Sequence, residues 1–149
     1  MGALASGLSG PVFAQQLEQA SGQIDARTLA AYLDILLPAD ADSPAASALK
    51  IEDDLIAFAG QVRVFQQLLS LGTMWLNDTG QGPFHTLSKD DQARVVDWMR
   101  SADRGFVPGR FYLLVRLTGA EFYFARPEAT AAFDVNATPQ PVGYPPPWQ

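Results

Sequence analysis

Residues 111–124 form the most apolar stretch of this chain and set the terms for everything around it. Phe111, Tyr112, Leu113, Leu114, Val115, Leu117, Phe122, Tyr123 and Phe124 leave almost no polar face. β-branched residues are few and no alternating run exceeds a few positions, so the segment reads as a helix rather than a strand. A helix apolar nearly all round is either central in a bundle or covered by another chain. The uncharged stretch at residues 1–14 is too short and too glycine-rich to supply the roughly 20 apolar residues that span a bilayer. The chain of 149 residues must therefore wrap residues 111–124 with its other helices, a partner, or both.

Those other helices are marked by their punctuation. Asp25 is a capping residue for a helix carrying Leu29, Tyr32, Leu33, Leu36 and Leu37, and Pro38 stops it because proline disfavours helix in the residue before it. Ser43-Pro44 has the form of a second start, a capping hydroxyl with proline at the first helical position. That helix carries Leu49, Ile51, Leu55, Ile56 and Phe58 and fades near Gly60. A third covers about 62–77, with Val64, Leu68, Leu71 and Trp75 as its inner stripe, flanked by Phe65, Leu69 and Leu76. Gln66, Gln67, Ser70 and Thr73 are placed opposite. After a glycine-rich loop at 78–83, Ser88-x-x-Asp91 approximates a capping box for a fourth helix, about 89–101, burying Val95, Val96 and Met99 with Trp98 at its edge. Residues 105–109 break the chain before the apolar fifth helix, and one further turn follows Pro127. The expectation is an all-α fold, a small bundle of about five helices.

The two ends read differently from the 25–135 body. Residues 1–14 are uncharged and rich in Ala, Gly and Leu, like the apolar part of a secretory signal, but no basic region precedes them. Residues 1–24 are thus an export-signal relic or an N-terminal arm. Residues 136–149 hold five of the eleven prolines together with Tyr144 and Trp148. Proline favours extended polyproline geometry, so this is read as an extended Pro-rich docking tail. It would lie against a partner or close over the body's own aromatic face.

Composition narrows the chemistry. Net charge is −6 with no basic stripe, which argues against nucleic acid. There is no cysteine, which excludes thiolate metal sites, Cys nucleophiles and C-x-x-C-H haem attachment. No glycine string of the dinucleotide or phosphate-loop kind occurs. His85 is the one histidine, and no acid or nucleophile has a spacing that links to it. Asp40, Asp42, Asp53 and Asp54 lack the spacing of a calcium loop and serve as turn, cap and surface residues. No catalytic, cofactor-binding or metal-binding residues are assigned. The charged share, 17% against a typical value of about 25%, is low for a lone domain and points to a partner-covered face.

The order of several short strings resembles the gluconate 2-dehydrogenase subunit 3 family. Leu36-Leu37-Pro38-Ala39-Asp40 followed by Ser43-Pro44-Ala45-Ala46 is similar to that family's opening. Pro83-Phe84-x-x-Leu87-Ser88-x-x-Asp91-Gln92 is similar to its approach to a later helix. Phe111-Tyr112-x-Leu114-x-Arg116-Leu117-Thr118, then Phe122-Tyr123-x-x-x-Pro127, resembles its aromatic segment, and Gly143-Tyr144 its close. The resemblance covers about 28–148. It departs at Ala45, at Glu121-Phe122, and in the spacing between Pro127 and Gly143.

The resemblance implies a non-catalytic small subunit of a periplasmic FAD-dependent alcohol or sugar dehydrogenase of the glucose–methanol–choline type. FAD and the catalytic base would sit in the large subunit, with a cytochrome c carrying haem c as electron acceptor. The small subunit would stabilise its partner and assist its twin-arginine export. Phe111, Tyr112, Phe122, Tyr123, Phe124, Tyr144 and Trp148 are the expected partner-binding residues. A free-standing helical assembly factor, or a small enzyme built on His85 or the carboxylates, is the competing reading.

Overall fold

The computed structural model describes residues 23–133, and these are all helix and connection, with no strand among them. Helix α1 (Ala26–Leu36) is started by Asp25, whose Oδ1 accepts hydrogen bonds from the backbone N–H groups of Arg27 (3.0 Å) and Thr28 (3.1 Å). These are two of the donors that every helix N-terminus leaves without an internal partner. The helix buries Leu29, Tyr32 and Leu33 and stops at Leu37, ahead of Pro38.

The helix expected from Ser43-Pro44 does not start there. The Asp40 carboxylate accepts from the N–H groups of Asp42 and Ser43 and from the Ser43 hydroxyl, so that hydroxyl is used in a turn rather than as a cap. Downstream, the Asp34 carboxylate takes both the Ser47 N–H and its hydroxyl, each at 2.8 Å. The result is a 3₁₀ turn (Ala46–Leu49), a left-handed Lys50 (φ 59°), and only then α2 (Ile51–Ala59).

Helix α3 (Arg63–Asn77) is rotated relative to the expected stripe. Val64 is 68% exposed, while Phe65, Leu68, Leu69, Leu71 and Leu76 are buried. Ser70 and Thr73, expected outside, are inside. Their burial is tolerable because both hydroxyls are satisfied: Ser70 donates to the Gln23 carbonyl (3.0 Å), and Thr73 donates to the Leu69 carbonyl (2.9 Å). Thr73 Oγ1 also accepts from the Asp25 N–H (3.3 Å), fastening the start of the described chain to α3.

A second 3₁₀ turn (Phe84–Thr86) drops Phe84 into the core. Helix α4 (Lys89–Ser101) follows with Ser88 as its cap, accepting from the Asp91 N–H at 3.1 Å. It buries Val96 and Met99 as expected; Val95 is only half-buried, and Gln92 takes an inner position by donating to the Phe84 carbonyl (2.9 Å). Trp98 is 42% exposed and stacks on Trp75 with ring centroids 5.6 Å apart.

Helix α5 (Val107–Phe124) begins four residues before Phe111, with Pro108 in its first turn. A side chain at Gly109 would meet the Ala102 carbonyl at 2.6 Å, so glycine permits this tight approach after α4. Helix α5 touches α1, α2, α3, α4 and the short α6 (Pro127–Thr130), so it shares the centre of the bundle with α1, which touches α2 to α5 and both 3₁₀ turns. Its Phe111 ring lies 5.0 Å from Tyr32, and Tyr32 lies 6.4 Å from Phe84. An ion pair between Arg126 and Asp54 ties the end of α5 to α2. No helix among the described residues is long and apolar enough to cross a membrane.

Candidate docking surface

The centrality of α5 corrects part of the expected partner surface. Phe111, Val115, Gly119 and Tyr123 recur every four residues and form one inward stripe. Phe111 is fully buried, Tyr112 is 8% exposed and Tyr123 is 3% exposed. These three are core residues of this chain and offer no surface to a partner. The Tyr123 hydroxyl donates to the Pro44 carbonyl (2.7 Å), bolting α5 to the turn after α1. Phe122 is half-buried, with its ring edge-on to Phe58 at 6.1 Å. Phe124 is 52% exposed. Tyr144 and Trp148 lie outside the described residues, as do the 1–22 arm and the 136–149 tail.

The opposite stripe of α5 does reach water. Leu114, Leu117 and Phe124 follow one another at spacings of three and seven residues and are all exposed, Leu117 at 58%. Beside them, the corner between α2 and α3 exposes Phe58, Val62 and Val64. Between α5 and this corner lies an open groove of about 570 Å³, floored by Phe65, Leu68 and Leu113 and walled by Phe58 and Leu114. Arg104 and Arg110 also line it, and among the described residues no acidic side chain does. Arg110 Nε donates to the Arg104 carbonyl at 3.2 Å. Val62 and Val64 are not singled out as surface by hydropathy, because Val64 fits the helical stripe that the structure rotates.

His85 belongs to a polar latch rather than to this surface. Its Nδ1 lies 3.3 Å from Thr28 Oγ1. The Thr28 hydroxyl donates to Asn77 Oδ1 (2.6 Å), which also accepts from the Phe84 N–H (2.9 Å). Asn77 Nδ2 in turn donates to Asp25 Oδ2 (2.9 Å). Burial pushes the Asp25 carboxyl up, but the bonds from Asn77, Thr28 and Arg27 outweigh it and hold the group below its ordinary value. A hydroxyl, an imidazole and a carboxylate meet here, yet Thr28 is fully buried, so no substrate reaches the one hydroxyl a base could activate. The latch joins α1, α3 and the second 3₁₀ turn.

Among the described residues, three buried side-chain polar atoms lack a partner: the Tyr32 hydroxyl, Gln92 Oε1 and one oxygen of Glu52. Glu52 is 7% exposed in the first turn of α2, and burial pushes its carboxyl up. Among the described residues, no three His, Cys, Asp or Glu side chains gather as a metal site. A second, more polar depression of about 410 Å³ is lined by Thr79, Gly80, Leu87, Asp91 and Arg94, the last two paired with each other. No protein-family model, curated protein or solved structure matches the chain.

Proposed function

We propose that this chain is the non-catalytic small subunit of a periplasmic FAD-dependent alcohol or sugar dehydrogenase, docked through the outer stripe of α5. The observation that carries the reading is the two-sidedness of that helix. Its inner stripe completes the chain's own core, while Leu117 and Phe124 stand in water and Leu114 lies on the groove it shares with Phe58, Val62 and Val64. Scattered exposed hydrophobes are ordinary, but Leu117 and Phe124, flanking the exposed Glu121 on the outer side of a helix whose inner side is already core, have the form of a partner surface.

The resemblance to the gluconate 2-dehydrogenase subunit 3 family supplies the identity of the partner: a large subunit holding FAD, exported as a folded pair and passing electrons to a cytochrome c. The resembling strings coincide with structural duties in this chain. Pro38 and Asp40 end α1 and form its turn, Phe84 and Gln92 join the second 3₁₀ turn to α4, and Phe111 and Tyr123 fill the core.

The test is co-purification of the tagged chain from its native host. The expected result is a stable complex with a yellow flavoprotein whose dehydrogenase activity depends on the chain. Leu117→Glu with Phe124→Glu should weaken that complex by about thirtyfold or more, the effect of losing one interface hot spot, while far-UV circular dichroism stays unchanged. A flavoprotein that stays folded and active after the chain is removed would favour the assembly-factor reading. A chain that purifies without a flavoprotein would defeat the proposal.

A further inference from the structure

The groove between α5 and the α2–α3 corner has walls of a particular kind. Phe58 meets Phe65 edge-on at 5.4 Å and Phe122 at 6.1 Å, and the floor is aliphatic. Among the described residues, its charged lining groups are the guanidinium-bearing Arg104 and Arg110. Aromatic-walled grooves are the usual seats of proline-rich segments, whose extended geometry is already restricted and so loses little entropy on docking. Guanidinium groups add affinity for aromatic faces.

The chain itself carries such a segment. Residues 139–149 contain five prolines, Tyr144 and Trp148, and no charged side chain at all. We propose that the groove is the seat of this segment, the chain's own residues 139–148, with Tyr144 and Trp148 as anchors.

Covalent reach permits it. The described chain ends just beyond α6, which packs on the C-terminal end of α5. From Phe124 back to Leu114 along α5 is ten residues, about 15 Å at helical rise. From Phe133 to Tyr144 is eleven residues, up to about 35 Å when extended. The middle of the groove is therefore within the tether's span, with length to spare for passing around Phe124.

Tethering also decides the occupant. A short covalent link gives an effective concentration in the millimolar range, so the attached segment outcompetes the same segment of a second copy at ordinary protein concentrations. The inference does not rest on the subunit reading. An isolated chain would dock its tail with or without a flavoprotein, and the outer positions Leu117 and Phe124 do not line this groove.

The absence of cysteine makes the test clean. Full-length chains carrying Val64→Cys with Gln140→Cys are equilibrated in a glutathione buffer at low protein concentration, and the yield of monomeric disulfide is read as an effective concentration. Val64 is exposed at the groove edge and Gln140 is not an anchor, so neither change disturbs the body. Ala93→Cys with Gln140→Cys, on the outer face of α4, is the control. The expected result is an effective concentration at least about tenfold above the control, which Tyr144→Ser with Trp148→Ser abolishes. Equal values for the two pairs would overturn the proposal. So would a preference that survives loss of both anchors, and so would disulfides found only in dimers, which would make a second copy the occupant.

Discussion

Asn77→Ala tests whether the latch around Thr28 holds the fold together. The side chain makes three hydrogen bonds: it accepts from the Thr28 hydroxyl (2.6 Å) and the Phe84 N–H (2.9 Å), and donates to the Asp25 carboxylate (2.9 Å). Two neutral bonds contribute about 1 kcal/mol each, and a bond to a charged, partly exposed partner somewhat more, giving about 3 kcal/mol in all. For a domain of this size that is a fall in Tm of about 12 °C. Thr28→Val removes the hydroxyl with little change of shape and should cost about 1 kcal/mol. Because the two residues share a bond, the double variant should cost less than the sum.

The same latch predicts a pH signature. The Asp25 carboxyl is held below its ordinary 3.8 in the folded protein, so its contribution is fully present above that pH and is lost as pH falls through the folded value. The gap between wild type and Asn77→Ala should therefore narrow below about pH 4. Urea unfolding at a series of pH values measures both quantities. A loss under 1 kcal/mol at pH 7, or strict additivity with Thr28→Val, would refute this account.

At Gly72, an added Cβ would overlap the buried Phe111 ring at the α3–α5 crossing. Gly72→Ala should thus destabilise by about 1–3 kcal/mol in thermal unfolding, although alanine favours helix by about 1 kcal/mol. Glu52 is raised by burial above its ordinary 4.5, so the folded state binds its proton more tightly than the unfolded state. The penalty is absent below about pH 4.5 and complete above the folded value, which makes this group favour acid. Glu52→Gln should raise stability at pH 7 and flatten the pH dependence above 4.5; a lower Tm at pH 7 would contradict it.

The caps and stops were legible in the sequence because each is a local contract. Asp25, Pro38 and Ser88 act on backbone groups within three residues of themselves, and the structure uses all three as expected. What failed was phase. Ser43 looked like a cap, but the nearby Asp40 carboxylate claimed its hydroxyl and N–H. Ser70 and Thr73 looked like an outer face, but backbone carbonyls satisfied them inside. In α5, hydropathy could not say which aromatics face inward, since nearly every position is apolar. The clue was size: Phe111, Val115, Gly119 and Tyr123 share a face, and a Cβ at Gly119 would lie 3.0 Å from Leu33, a contact that only the inner stripe of a central helix requires.

That phase bears on the partner reading. The string Phe111-Tyr112-x-Leu114-x-Arg116-Leu117-Thr118 mixes two kinds of position. Core packing accounts for Phe111 and Tyr112, and the groove uses Leu114, but neither asks anything of Leu117, which is 58% exposed. Leucine at such sites gains little from the chain's own folding, because the hydrophobic gain scales with area removed from water. On the proposed reading, the part of the resembling string that bears on docking is therefore the outward part. If Leu117 and its outward neighbours serve only this chain, Leu117→Gln should leave both stability and complex formation within about 0.5 kcal/mol of wild type. If they serve a partner, stability should hold while affinity for the flavoprotein falls.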